Sequence, residues 1–188
     1  MNAPAHAAAL PRPALVSADA DRADARLAAA GDAAAFGRLY FRHAARIKAL
    51  ARRLLGQAEM EDGTQEVFVR AWHRIHQFRG ESAFATWLHR LAVNALLRER
   101  ERGRRHPADD TPVESLVSES PFAKDLDLER ALATLPEGVR EVVVLHDMES
   151  YTHAEIGRLL GVGESASKMR LHRGRSALRR LLTREEKR

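Results

Sequence analysis

A chain of 188 residues, 45% of them hydrophobic, suits one compact domain or two small ones at roughly 100–200 residues per domain and leaves no room for a large enzyme. Thirty-three alanines against two Trp, two Tyr and six Phe favour closely packed helices over sheets, and the lack of cysteine excludes disulfides, thiolate nucleophiles and Cys-ligated metal sites. The net charge of +5 is segregated: residues 1–35 carry −1, 36–106 carry +8, 107–127 carry −5 and 128–188 carry +3, so two basic blocks flank an acidic connector, a pattern suited to a polyanionic partner such as nucleic acid.

No apolar run approaches the roughly 18 residues of a membrane span, and no basic start leads into an apolar stretch, so the chain reads as a cytoplasmic protein. Residues 1–25 lack helical periodicity and are expected to form a flexible tail. From Phe36 onward, Tyr40, Ile47, Leu50, Ala51 and Leu54 recur at three- and four-residue steps, which predicts an amphipathic helix. A second helix carries Val67, Phe68, Ala71, Trp72 and Ile75; a third is expected to open near Ser82 as N-cap and repeats with Phe84, Trp87, Leu88, Leu91, Ala95 and Leu96. On the second of these, Glu59, Asp62 and Glu66 share a face nearly opposite Val67, Ala71 and Ile75. An acidic stripe on a basic module suits a basic protein surface better than DNA.

His106 to Lys124 holds Pro107, Pro112 and Pro121, several serines and most of the connector's acids, and is expected to be a linker. After it, Leu128, Ala131, Leu132 and Leu135 stop at Pro136, and Val139, Val142, Val143 and His146 resume. Thr152-His153-Ala154-Glu155 is a capping-box pattern, Ile156, Leu159 and Leu160 give a short apolar face, and Gly161 suits C′. A basic helix starting near Ser165 completes a helix-turn-helix. At about 100° per residue, Leu171, Gly174, Leu178 and Leu182 cluster with Ser167 beside them. Ser165, Met169, His172, Arg173, Ser176 and Arg180 face the other way, with Lys168, Arg175 and Arg179 on one edge and Arg170 on the other. Such a helix can read base edges while its rim holds phosphates.

No catalytic constellation emerges. Gly31 and Gly37 enclose no phosphate loop, His73 and His76 lack an HExxH frame, and Ser82 has no nucleophile-elbow context. The expectation is an all-α protein that is not an enzyme and needs no cofactor or metal.

Two stretches together resemble the extracytoplasmic-function (ECF) sigma factors, the small two-domain branch of bacterial promoter-recognition factors. EMEDGTQEVFVRAWHRIHQFRGESAFATWLHRLAVNALLRERERGRR, from Glu59 to Arg105, resembles their region two. LERALATLPEGVREVVVLHDMESYTHAEIGRLLGVGESASKMRLHRGRSALRRLL, from Leu128 to Leu182, resembles region four. The resemblance implies a tail (1–25), a region-two-like helical domain (26–105), a linker (106–124) and a region-four-like helix-turn-helix domain (125–188). It implies that Glu59, Glu61, Asp62, Gln65 and Glu66 meet the clamp coiled-coil of the RNA polymerase β′ subunit, and that the second domain meets the β flap. Phe78, Arg79, Ser82, Trp87, Arg90 and Asn94 would engage the melted minus-ten strand, although Trp87 also sits where a core residue belongs. Ser165, Lys168, Met169, Arg170, His172, Arg173 and Arg175 would engage the minus-thirty-five element. An anti-sigma factor, in some cases at the inner membrane, is the implied regulator of a nucleoid-associated protein.

The chain departs from the family pattern at Gly63, usually Leu, at Gly163, usually Pro, at Ser165-Ala166-Ser167, usually Gly-Thr-Val, and at Met169, usually Ser. These departures imply a helix-propensity cost of roughly 1 kcal/mol at Gly63, a looser turn at Gly163 and an inward hydroxyl at Ser167. Two other readings fit parts of the chain: a stand-alone helix-turn-helix regulator, which would dimerise and bind duplex without polymerase, and an RNA-binding or scaffolding helical protein with little sequence dependence.

Overall fold

The computed structural model describes residues 18–103 and 128–185, and among these every regular element is helical. Helices α1 (Ala18–Ala29), α2 (Ala33–Leu55), α3 (Met60–Arg74) and α4 (Phe84–Gly103) pack as one group. A second group comprises α5 (Leu128–Ala133), α6 (Glu137–Val143), α7 (His153–Leu160) and α8 (Glu164–Glu185). The expected linker at 106–124 and residues 1–17 of the expected tail lie outside the described residues.

Residues 18–25, expected in the tail, are the first two turns of α1. An apolar-periodicity reading passes over this helix because its buried face carries Asp21 and Asp24 beside Ala25 and Ala28. Charge makes that face possible. Arg42 Nε and His43 Nε2 each lie 2.9 Å from an oxygen of Asp21, while Asp24 accepts from Arg38 and Arg42. Buried carboxylates become tolerable when several donors surround them. Asp32 then caps α2, accepting from the backbone N–H groups of Ala34 and Ala35 at 2.9 and 3.0 Å.

Leu39, Ile47, Leu50 and Leu54 of α2 meet Val67, Phe68 and Ala71 of α3 and Leu88, Ala92, Val93 and Leu96 of α4 in the first core. Gly63 is buried here, and a Cβ on it would stand 2.5 Å from Leu55 Cδ1 and 3.0 Å from Leu96 Cδ2. The glycine that reads as a propensity cost is thus what lets α3 approach α2 and α4. Helix α4 opens at Phe84, later than a Ser82 cap would set it, because the Ala83 carbonyl accepts the first bonds, from Thr86 and Trp87.

In the second group, α6 runs on through a π-helical turn, Val144–Met148. The predicted capping box on α7 is formed in full by Thr152 and Glu155, and Gly161 closes the helix in the left-handed conformation, φ +66°. Helix α8 crosses α6 at Gly174, where a Cβ would meet Val143 Cγ2 at 2.4 Å. The inward hydroxyl of Ser167 is fully buried and lies 2.9 Å from His153 Nδ1, so the polar group expected to disturb this half ties α8 to α7.

The two groups touch through charge. Glu129 of α5 pairs with Arg52 and Arg53 of α2; Glu149 lies 3.4 Å from His89 of α4; and buried Arg100 of α4 pairs with Glu137 and Glu141 of α6. Burial at this seam pushes His89 down to about 4, aided by the charges of Arg46 and Arg90. It also pushes the Glu149 carboxyl up, against the pull of Arg46 and Arg53. No helix among the described residues is long and apolar enough to cross a membrane.

Candidate nucleic-acid interface

Three of the residues expected at the minus-ten strand come together. Trp87, Arg90 and Asn94 of α4 line an open groove of about 240 Å³ with Leu91, Ala95 and Arg98 of the same helix and Arg70, Arg74 and Gln77 from α3 and the 3-10 turn after it. Arg70 is paired with Glu66 one turn earlier. Arg74, Arg90 and Arg98 are exposed and join no ion pair among the described residues. Asn94 Nδ2 donates to the Arg90 carbonyl at 2.7 Å, which fixes the amide while its oxygen can still accept. Trp87 is half-buried, its ring 5.6 Å from Phe78 and 5.5 Å from Phe84, so one edge belongs to the core and the other to the groove.

Phe78, Arg79 and Ser82 do not line this groove. They belong to the turn between α3 and α4, joined to it through the Phe78–Trp87 contact; Arg79 and Ser82 are exposed and Phe78 is half-buried. A cationic channel edged by an aromatic ring holds a single strand by phosphate pairing and base stacking. Sequence reasoning missed Arg70, Arg74, Gln77 and Arg98, because the groove forms only when α3 lies beside α4. The one available signal is the four-residue spacing of Arg70 with Arg74 and of Arg90, Asn94 and Arg98, which puts each set on one helical face.

The acidic stripe occupies the first half of α3. Glu59, Glu61, Asp62 and Gln65 are exposed and Glu66 is half-buried against Arg70. Lys48 Nζ donates to Glu61 at 2.7 Å, a bond that raises the lysine above its usual value. Beside the stripe runs an apolar cleft of about 490 Å³ between α2 and α3, lined by Phe36, Tyr40, Phe68, Val69 and Trp72 and reached by Glu61 and Gln65. Phe41 stands near its rim at 81% exposure, its ring 5.7 Å from Tyr40. An apolar cleft edged by carboxylates suits a partner helix that carries both apolar and basic side chains.

On α8, Ser165, Lys168, Met169, His172, Arg173 and Arg175 are exposed, Met169 to 52%. Arg170 departs from them: it is half-buried and laid over Gly138 of α6, where a Cβ would meet its Nη1 at 3.3 Å. Lys168 Nζ lies 2.7 Å from Glu164, whose carboxyl is held below its usual value by that bond. Arg175 makes a two-pronged contact with Asp147. Burial pulls the Asp147 carboxyl up, but the Arg175 and His146 bonds outweigh it and leave it below its usual value. The rings of His146 and His153 stack at 4.6 Å, and desolvation, then the His146 and Lys168 charges, lower His153.

Comparison with known proteins follows the same division. Residues 39–106 match the family model for Sigma-70 region 2, and residues 125–178 match that for Sigma-70, region 4. The ECF RNA polymerase sigma factor SigM of Mycobacterium tuberculosis H37Rv is 37% identical over 170 residues, covering 86% of each chain. The solved structure of CnrH in complex with the cytosolic domain of CnrY superposes with a TM-score of 0.54 at 31% identity, over 89% of this chain and 99% of that one. The sigma factor RpoE of Bartonella quintana, solved with the anti-sigma factor NepR, has the same fold at a TM-score of 0.52, with 24% identity over 79% of this chain and 96% of that one.

Proposed function

The chain belongs to the ECF RNA polymerase sigma factors, and from that premise we propose how its surfaces divide the work. It binds core RNA polymerase and directs promoter-specific transcription initiation; the catalysis is the polymerase's, and the chain is not an enzyme. We assign residues 18–105 and 125–188 as its two working domains, the first beginning at 18 and not at 26 because α1 packs as part of it.

Glu59, Glu61, Asp62, Gln65 and Glu66 dock the β′ clamp coiled-coil, the apolar cleft beside them taking that partner's apolar side chains. The groove of Arg70, Arg74, Trp87, Arg90, Asn94 and Arg98 holds the melted minus-ten strand, and the turn from Phe78 to Ser82 receives an unstacked base. Lys168, Met169, His172 and Arg173 read the minus-thirty-five element in the major groove, with Ser165 and Arg175 on its phosphates, while the second domain meets the β flap. Arg170, withdrawn onto Gly138, is left out of this set. The observation that carries the reading is the juxtaposition of four arginines, Trp87 and Asn94 in one groove, on the domain that also bears the acidic docking stripe.

Control by an anti-sigma factor is part of the same proposal, supported by the likeness to CnrH, which is bound by the cytosolic domain of CnrY. The working compartment is then the cytoplasm at the nucleoid, with sequestration at the inner membrane if that partner is membrane-bound. A neighbouring-gene product that blocks polymerase binding is the expected regulator, and the absence of any such product would remove this part. The principal test is run-off transcription on a genomic fragment library with core polymerase, with and without the protein. New start sites sharing a two-part upstream motif are expected. Duplex binding without polymerase, and no new starts, would instead mark a stand-alone regulator.

A further inference from the structure

The turn between α3 and α4 has a neighbour outside both family-matched segments. At Gly80 the backbone is left-handed, φ +73°, and a Cβ there would stand 3.6 Å from Arg22 Nε, 3.7 Å from its Nη2 and 4.0 Å from its Cζ. The guanidinium of α1 therefore lies across the face that glycine leaves bare. Its helix is firmly seated: Asp21, one residue before, and Asp24, two after, are buried against Arg38, Arg42 and His43, and the His43 ring sits 5.4 Å from Phe84 behind the turn. Arg22 itself is exposed and, among the described residues, joins no ion pair. The turn's own carboxylate, Glu81, is directed to Arg79 at 3.9 Å, both side chains being about four-fifths exposed.

We propose that Arg22 is a single-strand DNA contact, its guanidinium pairing with a backbone phosphate of the melted strand as that strand passes the Phe78–Ser82 turn. The inference rests on the minus-ten reading above and deepens it. A planar fork with five donors grips phosphate in a defined orientation, and here it stands beside the Gly80 turn on a different helix from the groove cations of α3 and α4. The strand is held from two sides, so that a base unstacked at the turn has its flanking phosphate fixed.

The test uses holoenzyme assembled from the full chain and core polymerase. The probe is a fluorescein-labelled single-stranded oligonucleotide carrying the minus-ten sequence of a start site mapped by run-off transcription, titrated over a range of salt. Arg22→Ala is expected to weaken binding about fivefold near 100 mM salt and to reduce the log–log salt slope by about 0.7, the share of one phosphate contact on a single strand. Arg22→Lys should restore the slope and only part of the affinity, since charge is kept and the fork is lost. Core-polymerase affinity should not change. A weakened complex with an unchanged slope would reduce Arg22 to a brace for the turn and overturn the proposal, as would wild-type binding by Arg22→Ala. Arg90→Ala, run in parallel, separates the levels: if it weakens the complex while Arg22→Ala does not, this inference alone falls, and if both are silent the minus-ten reading falls with it.

Discussion

In the groove between α3 and α4, Arg74, Arg90 and Arg98 join no ion pair among the described residues, whereas on α8 two cations beside the exposed face are already engaged, Lys168 by Glu164 and Arg175 by Asp147. The difference has a physical meaning. A cation without a partner transfers to phosphate with little to give up, so it contributes sequence-independent, salt-sensitive affinity. A cation already paired must exchange one anion for another, which mutes its grip on arbitrary DNA. On the proposed assignment the α8 face then depends most on Arg173, His172 and Met169, whose donors and apolar atoms suit base edges, with Lys168 and Arg175 contributing as far as they exchange Glu164 and Asp147 for DNA. By that assignment, the first domain holds a strand and the second discriminates a sequence.

The most damaging way to probe that contrast is Arg173→Ala, expected to cost about 1–3 kcal/mol of promoter discrimination. Run-off transcription from a mapped promoter should fall about five- to a hundredfold, with core-polymerase binding unchanged and the loss persisting across salt. Arg90→Ala combined with Arg98→Ala should lower single-strand affinity of the holoenzyme about twenty-fivefold near 100 mM salt and cut the salt slope by about 1.4, two phosphate contacts' worth. If the two lesions show the same salt behaviour, the division between holding and discriminating is wrong.

Asp62→Ala with Glu66→Ala should weaken core-polymerase binding about fivefold at low salt and less at high salt, as expected of rim charges that set register and on-rate. Titration with labelled protein measures it; because Glu66 also holds Arg70 of the groove, Asp62→Ala alone, with DNA contacts unaltered, sharpens the comparison. Gly174→Ala probes the frame of the discriminating domain, where a new Cβ at 2.4 Å from Val143 Cγ2 forces α8 away from α6; overpacking of this kind costs about 1–3 kcal/mol in urea unfolding. The smallest expected effect bears most directly on the contrast. Asp147→Asn releases Arg175, and non-specific duplex binding measured at low salt should rise about twofold; a fall would mean that the pair positions Arg175 for DNA instead of withholding it.

Much of this molecule can be read from local grammar. Capping box, left-handed Gly161 and the inward row Leu171, Gly174, Leu178 on α8 all depend on residues within two or three turns of one another, and all stand as read. What escaped depends on pairs distant in the chain. Helix α1 was hidden because its inward positions are aspartates whose partners Arg38, Arg42 and His43 lie 14 to 22 residues later. Arg70, Arg74, Gln77 and Arg98 acquire their meaning only when two helices lie side by side. Gly63 and Ser167 look like liabilities by their own chemistry, and each is answered by a neighbour in space: Leu55 and Leu96 occupy the room a Cβ would take, and His153 pairs with the hydroxyl.

The pairing of Asp21 and Asp24 with three side chains of α2 also shapes the field around the first domain. Arg38 and Arg42 would otherwise add two uncompensated cations to the domain. With two carboxylates set among them, that charge is largely offset, leaving Arg74, Arg90 and Arg98 of the groove and Arg22 beside the turn as exposed cations free of ion pairs among the described residues. Helix α1 thus acts by subtraction as well as by contact: it cancels charge on α2 while, on the proposed reading, leaving Arg22 to meet the strand.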